Sequence, residues 1–96
     1  MPSSLKTFDE FDQLLTAARS ELARMRLAEP DDGAIASVSR QLDALHGWTR
    51  GGRCPDQGEK DMLNFGQIAS RELDNYPVAD SLFELDSYVI YWGEAV

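Results

Sequence analysis

Every apolar run in this chain recurs at helical spacing, and each is bounded by residues that a helix does not carry through its interior. From Phe8 onward, Phe11, Leu14, Leu15, Ala18, Leu22 and Met25 fall on an arc of about 120° when successive residues step about 100°. Thr7, with Glu10 three residues later, is a capping box at the front of that run. Glu29-Pro30-Asp31-Asp32-Gly33 closes it, because proline disfavours helix at the residue before it and the rest is turn chemistry. Asp32 caps a second run in which Ile35, Val38, Leu42, Leu45 and Thr49 share a face, and Gly51-Gly52 stops it. Asp56 and Glu59 form a second capping box, and Pro77 separates a third run from a fourth. No segment alternates with a period of two. The expected fold is all-α: a single domain over 1–96, with four antiparallel helices at roughly 7–28, 33–50, 56–76 and 77–92, after a loose lead at 1–6.

The third helix is expected to put Met62, Phe65, Gly66, Ala69, Leu73 and Tyr76 on one face, within about 60° of Met62. Gly66 on that apolar side costs about 1 kcal/mol of helix propensity against Ala. A glycine there predicts a close approach by another helix. Asn75 or Tyr76 is the expected cap of the fourth helix. That helix carries two apolar stripes. One is Val78, Leu82, Leu85, Val89 and Trp92; the other is Ala79, Phe83 and Ile90. Either two neighbours flank it and make it the most buried of the four, or one stripe meets a partner or a second copy. Tyr91 lies with the acids on the far side and is the expected exposed aromatic.

Ninety-six residues with 43% hydrophobic content suffice for a packed core without metals or disulfides. The net charge of −8 argues against nucleic acid and anionic membrane surfaces, both of which recruit basic patches. The charge is uneven: 1–50 hold eight acids against six bases, whereas 51–96 hold nine against three, with no base after Arg71. A basic partner surface is therefore expected to meet the C-terminal half. No segment approaches the roughly 20 apolar residues of a membrane span, and Met1–Lys6 lacks a signal-peptide core. The expected location is the cytoplasm.

Catalytic chemistry is sparse. The single cysteine, Cys54, has no internal partner, and no Cys/His spacing suggests zinc. His46 sits at the edge of the second apolar stripe and reads as a boundary histidine bonded to a neighbour such as Asp43, not as a base or ligand. The glycine pair near Arg53 lacks the Lys-Ser/Thr ending of a phosphate loop and reads as a helix–helix connection. Neither an enzyme nor a cofactor is expected. Trp48 lies about 60° outside its stripe, either as an extension of the core or as an exposed anchor.

Gln41-Leu42, then Phe65-Gly66-Gln67-Ile68-Ala69-Ser70-Arg71-Glu72-Leu73-Asp74, then Tyr88, form a pattern that resembles one family. It is similar to the small helical immunity proteins that neutralise NAD(P)-glycohydrolase effectors of bacterial type VI secretion systems. The likeness is densest over 63–74 and extends more loosely over 35–91. It implies a bacterial cytoplasmic protein that binds a cognate toxin's catalytic domain and occludes the NAD pocket without chemistry of its own. The charge pattern places the expected contact patch on Asp74, Asp80, Glu84 and Asp86, with Tyr91 and Trp48 as anchors. Two other readings stand beside it. One is immunity to a toxin of different chemistry, such as a nucleotide pyrophosphokinase, on the same scaffold. The other is a scaffold module that homodimerises through its fourth helix.

Overall fold

A computed structural model describes residues 5–92. The fold is all-α, and the four expected helices are present, with the third in two segments. Helix α1 spans Phe8–Ala28. Thr7 Oγ1 accepts from the Glu10 amide at 3.1 Å, and Glu10 Oε1 accepts from the Thr7 amide at 3.2 Å, so the capping box is closed. Phe11, Leu15, Ala18, Leu22 and Met25 of the predicted stripe are buried, and Leu14 is half-buried. Of the expected loose lead, 1–4 lie outside the described residues. Leu5 packs against the core and the Lys6 amide donates to Glu10, so those two belong to the folded body.

Helix α2, Gly33–Trp48, begins where Asp32 Oδ1 accepts from the amides of Ala34 and Ile35. It buries Ile35, Val38, Leu42 and Leu45. Thr49 is buried too, with its hydroxyl donating back to the Leu45 carbonyl at 2.9 Å. The chain then leaves the helix through a 3-10 turn at Arg50–Gly52, where Gly51 and Gly52 have φ of 75° and 90°. Those are left-handed values that a side chain disfavours by roughly 1–2 kcal/mol. Arg53 pins this connection by donating to the Trp48 carbonyl and to both carboxylate oxygens of Glu59.

The expected third helix over 56–76 is divided. A short α3, Gln57–Asp61, follows the Asp56–Glu59 capping box, and α4 runs Phe65–Glu72. Between them the Leu63 amide bonds the Lys60 carbonyl, and Asn64 opens to φ −140°. The cause is tertiary. Gln41 of α2 accepts from the Asn64 amide at 2.7 Å and donates to the Asn64 side-chain oxygen at 2.6 Å. The donor that a continuous helix would use internally is spent on a neighbouring helix. Met62, expected on the core face, is swung outward and is 70% exposed. Phe65, Gly66, Ala69 and Leu73 face inward as expected, and Tyr76 is half-buried in the following turn.

Helix α5, Val78–Tyr91, starts without the expected Asn75 or Tyr76 side-chain cap. Pro77 already sits at helical φ and ψ, and proline has no amide proton to satisfy there. The Tyr76 hydroxyl instead bonds Glu29, tying this turn to the far end of α1. Val78, Ala79, Leu82, Leu85 and Val89 are buried. At the opposite end Phe11 stacks on Tyr88 at 4.7 Å, and Trp92 lies 5.3 Å from Phe11 and 5.9 Å from Phe8, centroid to centroid. The start of α1 thus meets the end of α5, and the two run antiparallel. Helix α1 packs mainly on α2 and α5, and α4 closes the bundle against the same two helices. No helix among the described residues is long and apolar enough to cross a membrane.

Candidate protein-docking face

On α5 the expected patch is largely brought together. Asp80, Glu84 and Tyr91 share the side of the helix turned away from the buried stripe, by their spacing of four and seven. Phe83 and Ile90, seven residues apart, run alongside them and are 39% and 50% exposed. The second apolar stripe is therefore not the flank of a fully buried helix: Ala79 is covered, and the other two members face outward. With Tyr91 also exposed, the outer side of α5 is an apolar strip bordered by acids. Among the described residues, no ion pair reaches Asp74, Asp80 or Asp86. Asp74 stands exposed in the α4–α5 turn, at the end of α5 where Asp80 lies.

Asp86 is different from the other acids. It sits at the border of α5 with α4, half-buried, and its carboxylate occupies the space where Gly66 lacks a side chain. A Cβ built on Gly66 would lie 2.6 Å from Asp86 Cγ and 3.0 Å from its Cβ. The close approach expected at Gly66 is thus made by one carboxylate. Burial pushes the Asp86 carboxyl above its ordinary value. Asp86 also lines a cleft of about 370 Å³ with Lys60, Leu63, Gln67, Val89 and Ile90. The periodicity of α5 did not single out this cleft, because α3, α4 and α5 form it together. The only signal in the sequence was the glycine on the apolar face.

Trp48 is not part of this face. It is half-buried at the end of α2 and lines a separate shallow groove with Arg40, Gln41, Ala44, Met62 and Leu63. The two residues most suggestive of chemistry lie apart from this face, on α2 and in the α2–α3 connection. The Cys54 thiol donates to the carbonyls of Pro55 and Trp92. His46 does not bond Asp43, which pairs instead with Arg19 of α1 at 3.0 Å. No group of three or more His, Cys, Asp or Glu residues among those described could hold a metal ion. Tyr76 and Tyr88 hold their phenolic protons more tightly than usual, the first through its bond to Glu29 and the second through burial. Neither lies on the acidic side of α5. Comparisons with protein-family models, with curated proteins and with solved structures found no match.

Proposed function

We propose that this chain is an immunity protein. It binds the catalytic domain of a cognate secreted bacterial toxin and blocks the toxin's active site, the toxin being an NAD(P)-degrading type VI effector. The observation that supports the reading is the outer side of α5, where Asp80 and Glu84, in a stretch with no Lys or Arg after Arg71, border exposed Phe83, Ile90 and Tyr91. A pocket that holds a dinucleotide pyrophosphate tends to present positive potential. A rigid acidic helix can occupy such a pocket and be steered toward it. A standard interface needs about 800 Å² per partner, and the chain exposes 5855 Å². One face of the molecule is enough. The toxin's chemistry rests on the resemblance over 63–74, where Phe65, Gly66, Ala69 and Leu73 are scaffold rather than contact.

The direct test is NAD consumption by the toxin domain encoded beside this protein, with and without an equimolar amount of it. Arrest at one-to-one stoichiometry is expected. Undiminished turnover together with failure to co-purify would sink the reading for that pair. Exposed Phe83 and Ile90 favour a second reading, a homodimer through α5. Sizing at low and high salt helps to separate the two: an apolar dimer persists at high salt, whereas an acidic inhibitor surface leaves the free protein monomeric or weakly associated, and dimerisation alone does not exclude inhibition.

A further inference from the structure

We propose that the cleft between α4 and α5 is the receptor for a single arginine side chain of the partner protein, with Asp86 as its counter-ion. This rests on the inhibitor reading and names the chemistry at the centre of its interface.

The cleft's own polar groups are committed elsewhere, with two exceptions. Lys60, its only cation, donates through Nζ to the Trp92 carbonyl at 2.7 Å, turning its charge toward the C-terminal end of α5. Asn64 is paired with Gln41, and Gln57 with Asp61. Asp86 and Gln67 make no side-chain hydrogen bond or ion pair among the described residues, and both line the cleft. A half-buried carboxylate with no partner is an unfavourable resident of a folded surface. It gains most from a cation that arrives with its own hydrogen-bond donors. The walls select the kind of cation. Leu63, Val89 and Ile90 offer aliphatic surface to a long stem, while the Asp86 carboxylate and the Gln67 amide oxygen both accept. A guanidinium supplies several donors in one plane and is weakly hydrated, so it suits this pair better than a compact ammonium. The same carboxylate repels phosphate, which excludes a nucleotide as occupant.

The competing role for Asp86 is structural. Asn64 gives α4 no side-chain cap, and a carboxylate beside Gly66 in the first turn favours the positive end of that helix. The two roles differ in what the isosteric substitution Asp86→Asn does. A structural carboxylate lowers stability when neutralised. A receptor carboxylate leaves stability at neutral pH unchanged or higher, and its loss appears only in binding.

The test has two arms. In the first, the free 15N-labelled chain is titrated with N-acetyl-arginine methylamide and, in parallel, with the uncharged citrulline analogue. Saturable shifts of the Gln67, Asp86 and Ile90 amides are expected with the arginine probe alone, and these are lost in Asp86→Asn. Absence of localised shifts, equal shifts with citrulline, or shifts that survive in Asp86→Asn would overturn the proposal. In the second arm, affinity for the adjacent toxin domain is measured for the wild type and Asp86→Asn. A loss of roughly tenfold or more is expected, as for truncation of one partner of a desolvated charge pair, with no fall in melting midpoint. Unchanged affinity, or a lowered midpoint, overturns the cleft and leaves the inhibitor reading standing. Failure of the wild type to bind the toxin removes the inhibitor reading, and the arginine titration still decides the cleft. A concentration-dependent dimer abolished by Asp86→Asn would assign the cleft to a second copy of this chain and overturn the proposal.

Discussion

At the scale of single residues, Gly66 and Asp86 form one feature. The glycine lies inside α4, where alanine would be favoured by about 1 kcal/mol on propensity alone. An added methyl, however, meets the Asp86 side chain at its Cγ and Cβ. Overpacking of this kind costs about 1–3 kcal/mol, so Gly66→Ala is expected to destabilise by a net 1 kcal/mol or so in urea unfolding. Asp86→Ala in the same chain recovers most of that loss, which a double-mutant cycle reads as coupling. The raised carboxyl value of Asp86 sets a pH dependence. A carboxyl that holds its proton more tightly when folded favours the native state at low pH. That contribution is full below its unfolded value of about 4 and is lost as pH rises through the higher folded value. The melting midpoint of Asp86→Asn should therefore exceed that of the wild type at pH 7, and the gap should close at pH 3.

At the scale of elements, the break between α3 and α4 is held by Gln41, a residue of another helix. Gln41→Ala leaves the Asn64 amide at an exposed position where water can replace it, so the cost is that of ordinary hydrogen bonds, about 1 kcal/mol. Hydrogen exchange at Asn64 should quicken well beyond that of the core amides of α5. Sequence periodicity ran 56–76 together because the apolar positions stay in phase across the break: Phe65, Ala69 and Leu73 keep the face that a continuous helix would give them. Met62 is the residue that gave the wrong answer. Its placement depends on a backbone turn that a glutamine 21 positions earlier imposes. The acids and the tyrosine of α5 were legible as a face because they belong to one element. Trp48 was not legible as part of another groove, since no helical angle within α2 reports which neighbour stands beside it.

At the scale of the whole molecule, the charge is segregated and the bundle is stapled at both ends of the α1–α5 pair. Phe8, Phe11, Tyr88 and Trp92 close one end, and the Tyr76–Glu29 bond closes the other. This stapling anchors both ends of α5 on α1, the arrangement that the proposed inhibitor calls for if it is to meet a preformed pocket without an ordering cost. Long-range attraction is a property of that whole field. Reversing Asp80 and Glu84 together to lysine is expected to slow association with a basic partner roughly tenfold at low salt. The difference should shrink as the screening length falls toward about 8 Å at physiological ionic strength. Stopped-flow rates across a salt series would read it, and salt-independent rates would move the contact to another face.

The sequence by itself determined the helical segments, the caps at Thr7, Asp32 and Asp56, the buried stripes apart from Met62, and the acids after Arg71 with no base among them. Each of these follows from the spacing of residues within one segment, where backbone geometry is fixed in advance. Only the tertiary structure decided where the third helix breaks, which apolar residues of α5 stay uncovered, and that Asp86 rather than a neighbouring helix backbone fills the space above Gly66. Those outcomes depend on which segments lie side by side, and hydrogen bonds and van der Waals contacts between distant positions leave no periodic trace in the chain.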